Sequence, residues 1–206
     1  MRRTILVSAF LFSVAAVAQG QQDAAVVITR AQIDQGVNLP TKAIDRMLRI
    51  VDLDGYQLGI TAAKHEANKG KSTAATGRGP NSKSCGTATA PPGGDEGPGD
   101  GIYHADTTET YMILSGTGTL VTGGQILNGF WSATDSDTDR ILTGPSCIGL
   151  MVGKLTKQKV SEGDVVVIPA GVAHGWLDLE AEITYLIVRT DTKNNLQHGY
   201  VNPAIR

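Results

Sequence analysis

The chain is poor in the features that mark several large classes of protein. Positive charge is not in excess: 18 Lys and Arg face 20 Asp and Glu. That balance argues against a nucleic acid or an anionic membrane surface as partner. Beyond the first twenty residues no apolar run is long enough to cross a bilayer, so no membrane partner is expected. No repeat of 20 to 50 residues is visible, which excludes a solenoid. No helical period is long enough to cover a sheet, which argues against alternating α/β architecture. Aromatics are few, only 5% of 206 residues, and there are two cysteines and four histidines.

What is abundant is glycine, 25 residues, spaced between short apolar runs. With 41% hydrophobic and 18% charged residues the chain can bury a core. Its length suits one domain of ordinary size. Gly-rich turns between β-prone runs indicate an all-β fold of sandwich or barrel type.

The N-terminus, "MRRTILVSAFLFSVAAVAQG", has a basic start at Arg2 and Arg3, a short apolar stretch from Ile5 to Val17 and an A-x-A site at Ala16–Ala18. Residues 1–18 therefore form an expected secretory signal peptide, with Gln19 as the new N-terminus. Its removal leaves 16 basic and 20 acidic residues, net −4. The protein is expected to be secreted or periplasmic. In such a compartment Cys85 and Cys147 are a candidate disulfide. Two separate free thiols are the alternative, because sequence does not fix their distance.

Residues 19–63 contain a short helix near 30–36, with Thr29 and Gln32 as a capping box. A hairpin follows, "RMLRIVDL" and "YQLGITAA" joined at Asp54-Gly55. From 64 to 100 the composition turns to Gly, Pro, Ser, Thr and Lys without an apolar period. This reads as a flexible insertion, either a plain loop or a substrate lid. Residues 101–190 return to strands and form the expected barrel core, with 129–146 as a polar connection. Residues 191–206 are a polar tail, with a solvated His198. The acidic run Asp135–Asp139 lacks the Gly and Glu of a calcium loop and reads as solvated.

The chemistry concentrates in two stretches. "HADTTETYMILSG" sets His104 and Glu109 five residues apart, a spacing that fits a strand end, a turn and the next strand. Glu109, Tyr111 and Ile113 then share one face. A carboxylate facing inward beside Ile113 is costly unless it is paired or holds a metal. "GDVVVIPAGVAHGW" adds His174 just past a Pro-x-Gly turn. Two imidazoles and a carboxylate with open positions suit Fe(II) and related ions. Tyr111 is a candidate catalytic or packing residue, and His65, at the end of a strand-like run, is a candidate extra ligand.

These stretches resemble the paired motifs of the cupin superfamily. The first motif, G-x5-H-x-H-x3,4-E-x6-G, is matched in its second half by His104, Glu109 and Gly116. The second, G-x5-P-x-G-x2-H-x3-N, is matched by Gly163, Pro169, Gly171 and His174, with Asp178 at the Asn position. Ile102 stands where the first motif usually has a histidine. The resemblance spans roughly Tyr103 to Arg189. It implies a jelly-roll (double-stranded β-helix) barrel holding a divalent metal, commonly as a homodimer. The metal set becomes His104, Glu109 and His174, and the residues do not separate Fe, Mn, Zn, Ni and Cu. A metal-dependent enzyme on a small molecule follows, of dioxygenase, isomerase or lyase type. The alternative is a non-catalytic periplasmic module that binds a small ligand or a metal.

Overall fold

The computed structural model describes residues 24–67, 78, 82–177 and 179–206. The signal-peptide reading of residues 1–18 and the side chain of Asp178 lie outside these. One helix, α1 (Arg30–Val37), opens the fold, and its Thr29–Gln32 capping box is formed in both directions. Gly36 lets it settle on the sheet, since a Cβ there would strike Leu48 and come within 3.0 Å of Ala62 Cβ.

Among the described residues eleven strands follow: β1 (Asp45–Leu53), β2 (Tyr56–His65), β3 (Ser84–Cys85), β4 (Asp95–Glu96), β5 (Gly101–His104), β6 (Thr107–Ser115), β7 (Thr117–Trp131), β8 (Ser146–Ser161), β9 (Val165–Ile168), β10 (His174–Leu177) and β11 (Ile183–Asp191). They form a five-stranded sheet, β1-β2-β11-β6-β9, and a six-stranded sheet, β3-β7-β10-β5-β8-β4, in which β7 and β8 also pair directly. The neighbours β2, β11 and β6 come from distant parts of the chain, as a jelly roll requires. The fold is the all-β jelly roll expected from the sequence.

Alternation along the strands decides what lies between the sheets. From the five-stranded sheet, Ile113, Tyr185 and Ile187 join Ala63 and Ile183. From the other side Leu120 and Trp176 meet them. The Trp176 indole N–H donates to the Tyr185 hydroxyl at 3.0 Å, so the apolar core keeps its polar tips paired. At the other end of this layer the inward positions become polar, and the site is built there.

Three segments differ from the sequence reading. Residues 82–100 are not structureless: β3 pairs with β7 and β4 with β8. Cys85 is joined there to Cys147, which is completely buried. The connection 129–146 contains the end of β7 and a π-helical turn, Thr138–Thr143, with Asp139 buried and accepting from the Ser132 hydroxyl. The tail is docked: Leu196 is buried against Met47 and Ile50, and Asn202 donates to the Met47 carbonyl at 2.7 Å. His198 sits 3.0 Å from Asp52 rather than facing solvent alone. Composition missed all three because short polar segments pack by backbone pairing and specific hydrogen bonds, which carry no hydrophobic period.

Candidate metal centre

Four strands deliver the site. His104 ends β5, Glu109 lies in β6, His174 opens β10 and Arg189 lies in β11. The tight turn Pro169–Val172, closed by the Val172 amide on the Pro169 carbonyl at 3.1 Å, leads the chain from β9 to β10. Gly171 has φ +79° there, a conformation that other L-residues rarely adopt. Its amide donates to the His104 carbonyl at 2.8 Å, so the turn is tied to the strand that carries the other imidazole.

The ligand atoms of His104, Glu109 and His174 lie within 4.8 Å of one another, and all three residues are buried. His104 Nε2 is 3.2 Å from Glu109 Oε1, and His174 Nε2 is 3.1 Å from Glu109 Oε2. The partners of the outer nitrogens bear on the tautomers. His174 Nδ1 lies 3.0 Å from the Val172 carbonyl, which only accepts, so Nδ1 carries the proton. His104 Nδ1 lies 2.8 Å from Ser146 Oγ, and that hydroxyl is also 2.8 Å from the Gly144 carbonyl and 2.9 Å from Thr143 Oγ1. A Ser146 proton directed to Gly144 makes Nδ1 of His104 the donor as well. With both Nδ1 atoms protonated, both Nε2 lone pairs point at the carboxylate.

Acceptors facing acceptors call for a positive charge between them. Burial lowers the His104 pKa, so this ring resists becoming that charge by protonation. Two imidazole nitrogens and a carboxylate are ligands suited to a divalent first-row cation, and both rings have the outer partner that metal-bound histidines use. The residues present fit such an ion.

Glu109 has two further partners. Arg189, its cross-strand neighbour, donates from Nε to Oε1 at 2.6 Å. Tyr111 donates its hydroxyl to Oε2 at 2.8 Å. Burial alone would raise the Glu109 pKa, but its charged and hydrogen-bonding neighbours, the Arg189 guanidinium among them, hold it well below the usual carboxylate range. Arg189 itself reaches Thr61 Oγ1 at 2.9 Å and Asp45 Oδ2 at 2.6 Å. Burial works against its charge, and Asp45 and Glu109 more than restore it. Burial and the adjacent Glu109 charge raise the Tyr111 pKa well above the ordinary phenol, so the hydroxyl stays protonated.

The cluster opens into a cavity of about 290 Å³ with apolar wall residues Ile102, Ile148 and Trp176. Ile102 lies directly across from His174 in the β5–β10 pairing and faces the cavity with it. His65 also lines the cavity, but it is outside the three-residue cluster, and its Nδ1 is 3.1 Å from the Glu66 carbonyl.

The sequence reading did not single out Arg189, Asp45 or Ser146. A signal existed for Arg189. Along β11 the residues Tyr185, Ile187 and Arg189 alternate onto one inward face, so the arginine needed a buried partner of opposite charge.

Among curated proteins none matches. Several solved structures are similar at low identity. A protein from Bacillus halodurans is 10% identical with a TM-score of 0.41, covering 88% of this chain and 92% of that one. An RmlC-like cupin family protein with a double-stranded β-helix fold from Methanocaldococcus jannaschii is 10% identical with a TM-score of 0.36, covering 84% and 94%. A recombinant oxalate oxidase in complex with glycolate is 15% identical with a TM-score of 0.36, covering 84% and 64%. The cupin family model matches residues 100–204, the stretch that contains His104, Glu109 and His174. That match extends over half of the chain, and the chain belongs to the cupin family.

Proposed function

We propose that this cupin is an exported metal-dependent enzyme that acts on a small molecule at His104, Glu109 and His174. One observation carries the reading: two buried imidazole Nε2 atoms converge on a buried carboxylate at the wall of a cavity. A divalent ion held there supplies Lewis-acid polarisation or oxygen activation, as in dioxygenases, isomerases or lyases. The chain's own groups do the rest. Ser146 and the Val172 carbonyl fix the two rings, and Arg189 and Tyr111 hold the carboxylate in one orientation. Ile102 leaves the position opposite His174 without a protein donor and keeps the wall apolar. Export through residues 1–18 and assembly as a homodimer belong to the same proposal. Intact-mass analysis of periplasmic protein, beginning at Gln19, and its size in solution test them.

Protein purified without added metal should hold one divalent ion per chain, identified by elemental analysis. A substrate screen with and without oxygen then assigns the reaction class. His174→Ala should lose the metal, and His65→Ala should keep it. A wild-type chain that stays metal-free after incubation with each of Fe, Mn, Zn, Ni and Cu would sink the proposal.

Ile102→His gives a second test. An imidazole opposite His174 should become a fourth ligand, slow metal loss to a chelator and lower turnover by filling the open position. If Ile102 is only packing, the variant loses about 1–3 kcal/mol of stability for a buried polar group without a partner, and metal retention does not rise.

A further inference from the structure

The wall of the cavity carries a second polar feature that the metal centre does not use. Asp100 lines the cavity, and its Oδ1 is buried with no hydrogen-bond partner among the described residues. An unpaired buried carboxylate oxygen is costly, and such atoms in folded proteins call for an explanation.

The position of Asp100 is built. The preceding Gly97-Pro98-Gly99 is buried. The Gly97 amide donates to the Met151 carbonyl at 2.8 Å, and the Met151 amide returns a bond to the Pro98 carbonyl at 3.1 Å. Pro98 lies on Gly175, where a Cβ would come within 3.2 Å of the ring. Asp100 is thus held between β8 and β10, beside the strand that carries His174. It stands one residue before β5 and lines the cavity together with Ile102 and His104.

The other polar groups narrow what Asp100 meets. Arg189 is the guanidinium of the cavity, and it already bonds Glu109, Thr61 and Asp45. The Tyr111 hydroxyl is spent on Glu109 and the Trp176 N–H on Tyr185. Each of the three Arg189 nitrogens already has a protein partner, so no guanidinium nitrogen stands unengaged for a ligand carboxylate. The charges agree: three carboxylates, Asp45, Asp100 and Glu109, face one guanidinium, a formal −2 that a divalent ion brings to zero. An anion entering that neutral, partly apolar space leaves an uncompensated charge beside Asp100. A hydroxyl or ammonium group instead satisfies the unpaired oxygen.

We infer that Asp100 is a substrate-binding residue that accepts a hydrogen bond from a hydroxyl or ammonium group, and that the site selects compact neutral or singly cationic molecules over anionic ones. The inference rests on the metal reading above for the charge balance.

A matched pair of probes tests it. 1-Amino-2-propanol and lactate share a three-carbon hydroxyl skeleton and differ in the charge of the end group. Calorimetric titration of the metal-loaded protein should show the amino alcohol binding at least roughly tenfold more tightly than lactate, the factor expected of a charge-assisted hydrogen bond. Asp100→Asn keeps the shape and removes the charge. It should weaken the amino alcohol by about tenfold, tighten lactate and leave the metal content unchanged. Lactate binding more tightly to the wild type, or both affinities of the variant staying within about twofold of wild type (less than 0.5 kcal/mol), overturns the inference. Metal content is measured on the same samples. A chain that takes up no metal ends the metal reading alone, because the metal-free protein still reports whether the amino alcohol depends on Asp100.

Discussion

Replacing Glu109 by alanine is expected to cost the protein both its metal and a large part of its stability. Glu109 is completely buried and has four partners: His104, His174, Tyr111 and Arg189. Alanine leaves Arg189, only 2% exposed, with Asp45 as its remaining counter-ion. Breaking a buried ion pair from one side costs about 3–5 kcal/mol, because the partner charge remains buried. Without Arg189 behind the carboxylate, the same substitution would cost the metal and leave the fold intact. Glu109→Gln separates the two effects. The amide keeps a carbonyl oxygen for Arg189 and fills the space, so it should retain more of the stability while still losing metal. Urea melts and elemental analysis of both variants check this. A Glu109→Ala protein as stable as wild type would show that the Arg189 charge is compensated elsewhere.

The same contrast shows what the sequence reveals. His104, Glu109 and His174 were legible because two turns fix their spacing. One is the tight connection between β5 and β6, and the other is Pro169-x-Gly171 ahead of β10. Turn chemistry is local, so it is written in adjacent residues. Arg189 and Asp45 were not read from the chain because their pairing depends on sheet order. Residue 189 comes to lie beside residue 109 only after β11 inserts between β2 and β6. The capping box at Thr29 and the Asp54-Gly55 hairpin are local and were readable for the same reason. Asp100 illustrates the opposite case. It closes a run of Gly, Pro and acidic residues that looks like a loop, yet two backbone hydrogen bonds and the bare surface of Gly175 fix it at the cavity.

Reduction of the Cys85–Cys147 bridge is expected to destabilise the protein nearly as much as loss of Glu109. The two cysteines are 62 residues apart in sequence. On the chain-entropy model a closed loop of that length contributes about 4 kcal/mol by restricting the unfolded chain. The bridge ties the short strand β3 to β8, while β3 pairs with β7 at Ser84–Phe130 and Cys85–Gly129. Lys83 and Thr87, on either side of it, add three backbone hydrogen bonds to β7, so the crosslink joins a segment already held on one side. Gly129 makes room for the sulfurs, since a Cβ there would come within 2.9 Å of Cys147 Sγ. Cys147 also packs with Val121, Ile126 and Met151, so its replacement by alanine removes core contacts as well as the crosslink. Cys85→Ser is the cleaner probe, because Cys85 is only half-buried. It should lower unfolding stability by about 4 kcal/mol and loosen the segment that leads to Asp100. Mass spectrometry of protein isolated without reductant, before and after reduction, should find no alkylatable thiol in the first sample and two in the second. Two alkylatable thiols in the unreduced sample would end the idea. A Cys85→Ser variant that melts with the wild type would show that the loop is already ordered in the unfolded reference, leaving the crosslink nothing to restrict.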